Sequence, residues 1–497
     1  MTVVREVPKY HDTVEKLNST QSGFKALREK RLGGRLDKAT LEDVRQWLHR
    51  VGHDVNDLNR LNVVHVAGTK GKGSTCAFVN SILQRYQQSV GIPRKIGLYT
   101  SPHLVTVRER IQVNSEPISE EMFAQYFFEV WDALESSAIK EGLDPARKPT
   151  YFRFLTLMAF HIFIREGIDA AVIEVGVGGE LDSTNIIPLP AVTGITTLGI
   201  DHVRALGGTI DKIAWHKAGI FKAGSPRFYS APGPRGYGSA AFESRGKRRQ
   251  AGYSCHPSCS LFDIRLRVAE DFQRKNASLA IALAASLLNR LGVSVDIDSE
   301  PLLREFIEGL ENMVWRGRWE TLVSDKQVWH LDGAHTEDSL KLSTAWFART
   351  ATQNQHKDGP RSIPTVLIFN QQSTRDSESL LRTVHETAYN DCGIEFQHAV
   401  FCTNTTYKGN SCKTDFVNRN VDPKELGSLS LQTRMAEVWH TLDPRTQTAT
   451  FPSIEQAIEH TESITCEAGQ TLVLVTGSLH LVGGVLALLE GKQYIGC

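Results

Sequence analysis

The residues HVAGTKGKGST at 65–75 are the densest run of chemistry in the chain. Glycines let backbone N–H groups close on phosphate oxygens, and a helix beginning there adds partial positive charge. Lys72 would reach the β- and γ-phosphates. Ser74 and Thr75 offer hydroxyls to phosphate or metal. The run departs from the G-x4-G-K-[ST] phosphate loop, because Gly73 separates Lys72 from Ser74. A second candidate is Glu174, in IEVGVGGELDSTN (173–185). A carboxylate inside an apolar strand is costly unless paired or metal-bound. Mg²⁺ beside ATP takes hard oxygen ligands and only one or two carboxylates. Asp182 either caps a turn or positions substrate. LGIDHVRALGGTIDKIAWHKAGIFK (198–222) adds Asp201, His202 and Lys217. His202 stands out because it follows a strand end in a glycine-bounded loop. Lys217, on these residues alone, reads as a surface lysine. Further on, RGRWE (316–320) and LDGAHTEDS (331–339) contribute Arg318, Asp332 and His335. The forked guanidinium of Arg318 suits phosphate. Asp332 and His335 fall between a strand and a helix, where Asp332 could instead serve as an N-cap.

The elements that must position these groups alternate between strand and helix. LNVVHVA, KIGLYT, AAVIEVGVGG and AVTGITTLG read as short apolar strands running into loops. STCAFVNSILQRYQQS and NASLAIALAASLLNRLG have helical spacing, and YFRFLTLMAFHIFIRE (151–166) is apolar nearly all round, as a buried helix is. A second series follows: QVWHLDGAH, TVLIFN, QHAVFCTN and TLVLVTGS. Such alternation implies parallel sheets covered on both faces, with ligands at the carboxyl ends of the strands. The boundary between the two series is expected near 308–316.

With 497 residues, two to four domains are expected. Lysine plus arginine and aspartate plus glutamate both count 56. That balance argues against a general nucleic-acid or polybasic membrane binder. No apolar run is long enough for a transmembrane helix, and the N-terminus lacks a signal-peptide core. Eight cysteines are too sparse for a disulfide scaffold and suit a reducing compartment. Cys255 and Cys259 form a C-x3-C pair with no second pair to complete a zinc site. Residues 227–250 hold six basic residues and one acidic, without a clear period. They read as a solvated loop, a basic partner-binding loop, or sequence translated from a shifted frame or retained intron.

Assembled in order, VAGTKGKGST, GLYTSPHLVTVRERI, YFRFLTLMAF, IEVGVGGELDSTN, LGIDH, IAWHKAGIFK, DFQRKNA, RGRWE, LDGAHT and LVTGSLHLVGG resemble the eukaryotic type of folylpolyglutamate synthase. That family lies within the Mur-ligase-like superfamily of ATP-dependent amide ligases. The resemblance implies an α/β fold: a P-loop-like ligase domain over 1–310 and a smaller Rossmann-like domain over 311–497, with the active site in the cleft. It implies that Gly68, Thr69, Lys70, Gly71, Lys72, Gly73 and Ser74 hold the ATP phosphates. Gln273, Asn276, Arg318, Asp332 and His335 would lie at the nucleotide. Ser101, Glu174 and His202 would hold Mg²⁺, with a monovalent cation as a further ligand of the protein. Lys72, Glu174, His202 and Lys217 would carry catalysis, and Lys217 matches a lysine that is carbamylated in several members. The loop 101–116 would border the folate pocket. The implied reaction adds L-glutamate in γ-linkage to folate through an acyl phosphate, in a monomer of the cytoplasm with a mitochondrial pool. Dihydrofolate synthase, or a catalytically impaired nucleotide-binding homologue, is the alternative. Relatives continue after HKAGIFKAGSP with a helix and a strand; here the 227–262 stretch replaces that pattern.

Overall fold

The computed structural model describes residues 9–22, 39–230, 253–254, 264–297, 302–324, 326–355, 363–372, 376–409, 414–417, 427–491 and 495–496. The chain divides into two compact units. One comprises 1–103 and 108–314; the other comprises 104–107 and 315–497.

The first unit is built on eight strands. They are β1 (Val64–Ala67), β2 (Ile96–Tyr99), β3 (Ile111–Val113), β4 (Glu116–Pro117), β5 (Ala170–Glu174), β6 (Val192–Ile195), β7 (Arg227–Tyr229) and β8 (Tyr253–Ser254). Their order is β4-β3-β2-β5-β1-β6-β7-β8. From β2 to β8 every pairing is parallel, while β3 and β4 add an antiparallel edge. β1, β2, β5 and β6 are buried at every position. Two-sided burial is why they read as continuous apolar runs rather than as alternations. The helix Tyr151–Arg165 buries Phe154 through Phe163 without a break, as its all-round apolar sequence requires. Part of the irregular stretch is ordered into the sheet: β7 pairs with β6, and β8 with β7. Residues 231–252 and 255–263, including Cys255 and Cys259, lie outside the described residues.

The second unit has β9 (Glu320–Val323), β10 (Gln327–Leu331), β11 (Thr365–Phe369), β12 (His398–Cys402), β13 (Gln447–Phe451), β14 (Thr471–Thr476) and β15 (Ile495–Gly496). Their order is β13-β12-β11-β14-β10-β9-β15, parallel except for β9 against β10 and β15. Alternate residues of each strand face opposite sides. Val366 and Ile368 of β11 therefore join Trp329, Val400, Ile458 and Leu486 in one core cluster. Leu367 and Phe369 join Phe347, Phe401 and Trp439 in another. Leu104 belongs to the first of these clusters. At Gly483 an added Cβ would lie 1.8 Å from the Leu104 carbonyl oxygen, so only glycine admits that backbone. No helix among the described residues is long and apolar enough to cross a membrane.

Candidate functional site

In the first unit β1 lies between β5 and β6. The loops after these three strands, and after β2, all leave from carboxyl ends. That is where an open parallel sheet gathers ligand-binding residues.

The loop after β1 is shaped by close approach. At Gly68 an added Cβ would fall 1.7 Å from Thr196 Oγ1. At Gly71, with φ +86°, it would fall 2.2 Å from Asn276 Oδ1. The Thr69 and Lys70 amides both donate to the Thr197 carbonyl, at 3.0 and 3.2 Å. Thr196 Oγ1 donates to the Lys70 carbonyl at 2.6 Å. Thr69 Oγ1 donates to the Gly199 carbonyl at 3.0 Å. The β6 loop thus moulds the β1 loop. The helix Lys72–Val90 begins at once, with Gly71 in the left-handed cap position. Thr75 donates its amide to Gly71 O, the first turn of that helix. The preceding helical amides, of Lys72, Gly73 and Ser74, open toward the loop as an anion site. Thr75 Oγ1 is buried with no hydrogen-bond partner among the described residues. Gln273 and Asn276 lie on the helix Asp271–Arg290, joined by a 2.8 Å bond from Asn276 Nδ2 to Gln273 Oε1.

Glu174 closes β5 and is 4% exposed. Its Oε2 accepts the Ser101 amide at 3.0 Å, which brings the β2 and β5 loops together. Lys217 corrects the sequence reading: it is 3% exposed, not a surface residue. It ends the helix Ile210–Lys217, and its Nζ donates to the Gly68 carbonyl at 2.7 Å. Burial, followed by the neighbouring Lys72 ammonium, pushes Lys217 down to about 7, against the pull of Asp201 and Asp182. The signal missed in the sequence was close packing of glycines. A Cβ at Gly179 would strike the His216 carbonyl at 2.7 Å, and one at Gly219 would strike Glu180 Cα at 2.3 Å. Glu180 N donates to His216 O at 2.7 Å, and Asn185 Nδ2 donates to the Glu180 and Gly219 carbonyls. The glycine loop after β5 therefore clasps the lysine helix.

Asp182 caps rather than waits for substrate. It accepts from the Thr184 amide and hydroxyl, at 3.0 and 2.7 Å, and from the Val177 amide at 2.9 Å. Burial raises its carboxyl, and these hydrogen bonds oppose the rise. His202 has a left-handed backbone at φ +49° and caps the short helix Val203–Leu206. Its side chain is half exposed, and its Nε2 lies 3.9 Å from Asp201 Oδ2. No group of three or more His, Cys, Asp and Glu suited to a metal occurs among the described residues.

Arg318, Asp332 and His335 lie in the second unit, around one glycine. A Cβ at Gly333 would come 3.1 Å from Arg318 Nη1. His335 Nδ1 is 2.8 Å from Gly333 O. Burial lifts Asp332 to about 6, and the Arg318 guanidinium restrains the rise.

No family model matches the chain. Curated relatives do. A folylpolyglutamate synthase of Neurospora crassa is 47% identical over 98% of this chain and 93% of its own length. One of Saccharomyces cerevisiae is 43% identical over 97% of this chain and 87% of its own. Among solved structures, the apo form of L. casei FPGS has a TM-score of 0.68 at 22% identity, covering 97% of this chain and all of its own. A Mycobacterium tuberculosis folylpolyglutamate synthase complexed with ADP and AMPPCP has a TM-score of 0.64 at 23% identity, covering 92% of this chain and 99% of its own. Those two likenesses show the shared fold, an α/β Mur-ligase architecture of two domains. With that identity sustained over almost its whole length, the chain belongs to the folylpolyglutamate synthases, a family of ligases.

Proposed function

We propose that this chain joins L-glutamate in γ-linkage to a folate at the expense of ATP. The observation that carries the reading is the loop Gly68–Ser74, glycine-shaped and opening the Lys72 helix beside buried Glu174 and Lys217. Gly68 to Ser74, with Lys72, are assigned to the ATP phosphates. Gln273 and Asn276, and Arg318, Asp332 and His335 of the second unit, are assigned to the nucleotide. The first unit is then the ATP-binding ligase domain, and the second the Rossmann-like domain.

The donors present fit Mg²⁺. Glu174, nearly buried at the end of β5 beside the Ser101 loop, is a hard oxygen donor, and Mg²⁺ is held by one or two carboxylates plus substrate phosphates. Glu174 would hold it, with Ser101 and His202 completing the protein's share. Bound there, it would neutralise phosphate charge. A monovalent cation is proposed as a further ligand of the protein.

The folate γ-carboxylate attacks the γ-phosphoryl of ATP, releasing ADP and forming an acyl phosphate. The amine of glutamate then attacks the acyl carbon, an amide C–N bond forms, and phosphate leaves with its C–O bond. No enzyme nucleophile is required. The protein's work is positioning and charge. Helix-terminal amides and Lys72 stabilise the transferring phosphoryl oxygens, and Arg318 adds a forked donor. Lys217, lowered to about 7 and so partly free amine near neutral pH, is set for carbamylation. Its amine adds CO₂ and releases a proton, and the carbamate keeps one N–H for the Gly68 carbonyl. The change turns a like-charge pair with Lys72 into an attractive one. We place the reaction in the cytoplasm with a mitochondrial pool, and take the monomer as the working form.

The test is incorporation of labelled glutamate by the purified full chain with ATP. Turnover with tetrahydrofolate is expected. Turnover with dihydropteroate alone would reassign the chain to first-glutamate addition, and none with either would mark an impaired homologue.

A further inference from the structure

Arg318 is presented by a strained backbone. Gly317 has φ +69° and Trp319 has φ +49°, so the arginine sits between two left-handed residues. Glycine adopts that conformation freely, whereas a tryptophan does so only where its surroundings hold it. Part of the hold is local. Gly333 N donates to Gly317 O at 3.1 Å. Gly317 N donates to Glu320 Oε2 at 2.7 Å, and Arg316 Nε to Glu320 Oε1 at 2.6 Å. These bonds fix the glycine side of the arginine.

The other side is fixed by an indole. Trp319 stacks on Trp346, with ring centroids 5.2 Å apart and planes within 20°. Trp346 lies on the helix Glu337–Gln355 and meets the edge of His330 at 5.0 Å. His330 is fully buried and packs against Phe347 as well. The Trp319 backbone also lies beside the Asp332 carboxylate and holds its rise in check. One residue thus combines a left-handed backbone and an aromatic stack, between Arg318 and the Asp332 carboxylate.

We propose that the Trp319–Trp346 stack is a positioning device for the nucleotide residues of the second unit. By seating the Trp319 ring, Trp346 holds the backbone that presents Arg318 and Asp332 together. The inference rests on the reading of those two residues as ATP contacts. Trp346 is a positioning residue and touches no reacting atom. Its loss should therefore weaken ATP binding and leave glutamate binding alone.

The experiment uses the full chain with Trp346→Ala, Trp346→Phe and Arg318→Ala, measuring kcat and KM for ATP and for glutamate. Far-ultraviolet circular dichroism follows the exciton couplet of the stacked indoles. Trp346→Ala should lose the couplet and raise KM for ATP about tenfold, in keeping with the worth of an aromatic pair. KM for glutamate should stay within about twofold of the parent, and Trp346→Phe should restore KM for ATP to a similar margin. An unchanged KM for ATP in Trp346→Ala, with a raised one in Arg318→Ala, overturns the positioning role and spares the ATP assignment. An unchanged KM for ATP in Arg318→Ala overturns that assignment itself. A fall in kcat with both KM values unchanged shows only lost active protein and also overturns the positioning role. Should Trp346→Ala fail to melt cooperatively, Trp346→Leu replaces it. Leucine must then raise KM for ATP where phenylalanine does not, and equal values refute the proposal.

Discussion

Lys217 shows what burial does to one side chain. Its ammonium is disfavoured by desolvation and by Lys72, so near pH 7 an appreciable fraction is the free amine. Only that amine adds CO₂. As pH falls below about 7 the ammonium returns and addition slows; as pH rises above it, addition quickens. At equal dissolved CO₂, stripped protein should therefore regain activity faster at pH 8 than at pH 6, followed in stopped assays and by intact mass. Lys217→Arg keeps the charge and cannot be carbamylated. Its activity should fall by about 10²-fold or more, the scale seen when a charge-stabilising group is removed from a site. Lys72→Ala should be at least as severe, with an unchanged thermal melt, since Lys72 is partly exposed at the start of its helix.

At the scale of elements, the site depends on backbones that touch. A methyl at Gly219 meets Glu180 Cα, which is main chain and cannot swing aside. Gly219→Ala should thus cost about 1–3 kcal/mol by overpacking. A lowered melting temperature and a loss of activity beyond that of Gly427→Ala, whose added methyl would meet nothing within 4 Å, would show it. These contacts also mark the limit of what the sequence displays. β1, β5, β6, β11 and β14 were legible because strands buried on both faces are rich in Val, Ile and Leu at successive positions, without polar alternation. β9 and β13, ETLV and QTATF, were not, because half-exposed strands at or next to the sheet edge carry no such run. β7 was hidden because RFY gives way at once to a basic, small-residue stretch. The phosphate loop was legible from glycine and lysine spacing. The burial of Lys217 was not, because it arises from Gly179 and Gly219, distant in sequence from each other and silent about their neighbours.

Over the whole molecule, buried titrating groups set the response to acid. His65 is held down to about 3 and His330 to about 4, both by burial, against an ordinary 6.5. Between those values the unfolded chain binds more protons, so each histidine removes stability as pH falls from about 6.5. Asp332 does the reverse. Its folded value of about 6 exceeds the ordinary 3.8, so the folded state binds more protons and gains stability as pH falls through that interval. In the second unit the two groups oppose each other between about pH 4 and 6, at a few kcal/mol each. Denaturant titrations should show there, for the parent, little more than the slope of His65, since His330 and Asp332 cancel. Asp332→Asn should steepen that slope by the His330 share, and His330→Phe should flatten it by the opposite share of Asp332. Identical slopes in all three proteins would contradict the assignment.

The tetrapeptide 104–107 belongs with chain made more than two hundred residues later. Leu104 enters a core whose other members begin at Leu322, and the Val107 amide donates to Asp415 Oδ1 at 2.8 Å. On a ribosome adding about 5–20 residues per second, that segment emerges on the order of tens of seconds before its partners exist. Synthesis order and packing order are therefore out of step, and the N-terminal body must wait with one apolar stitch unsewn. A translation pause placed after residue 314 would lengthen that wait, so newly made chain should be most open to chaperones and proteases at this point.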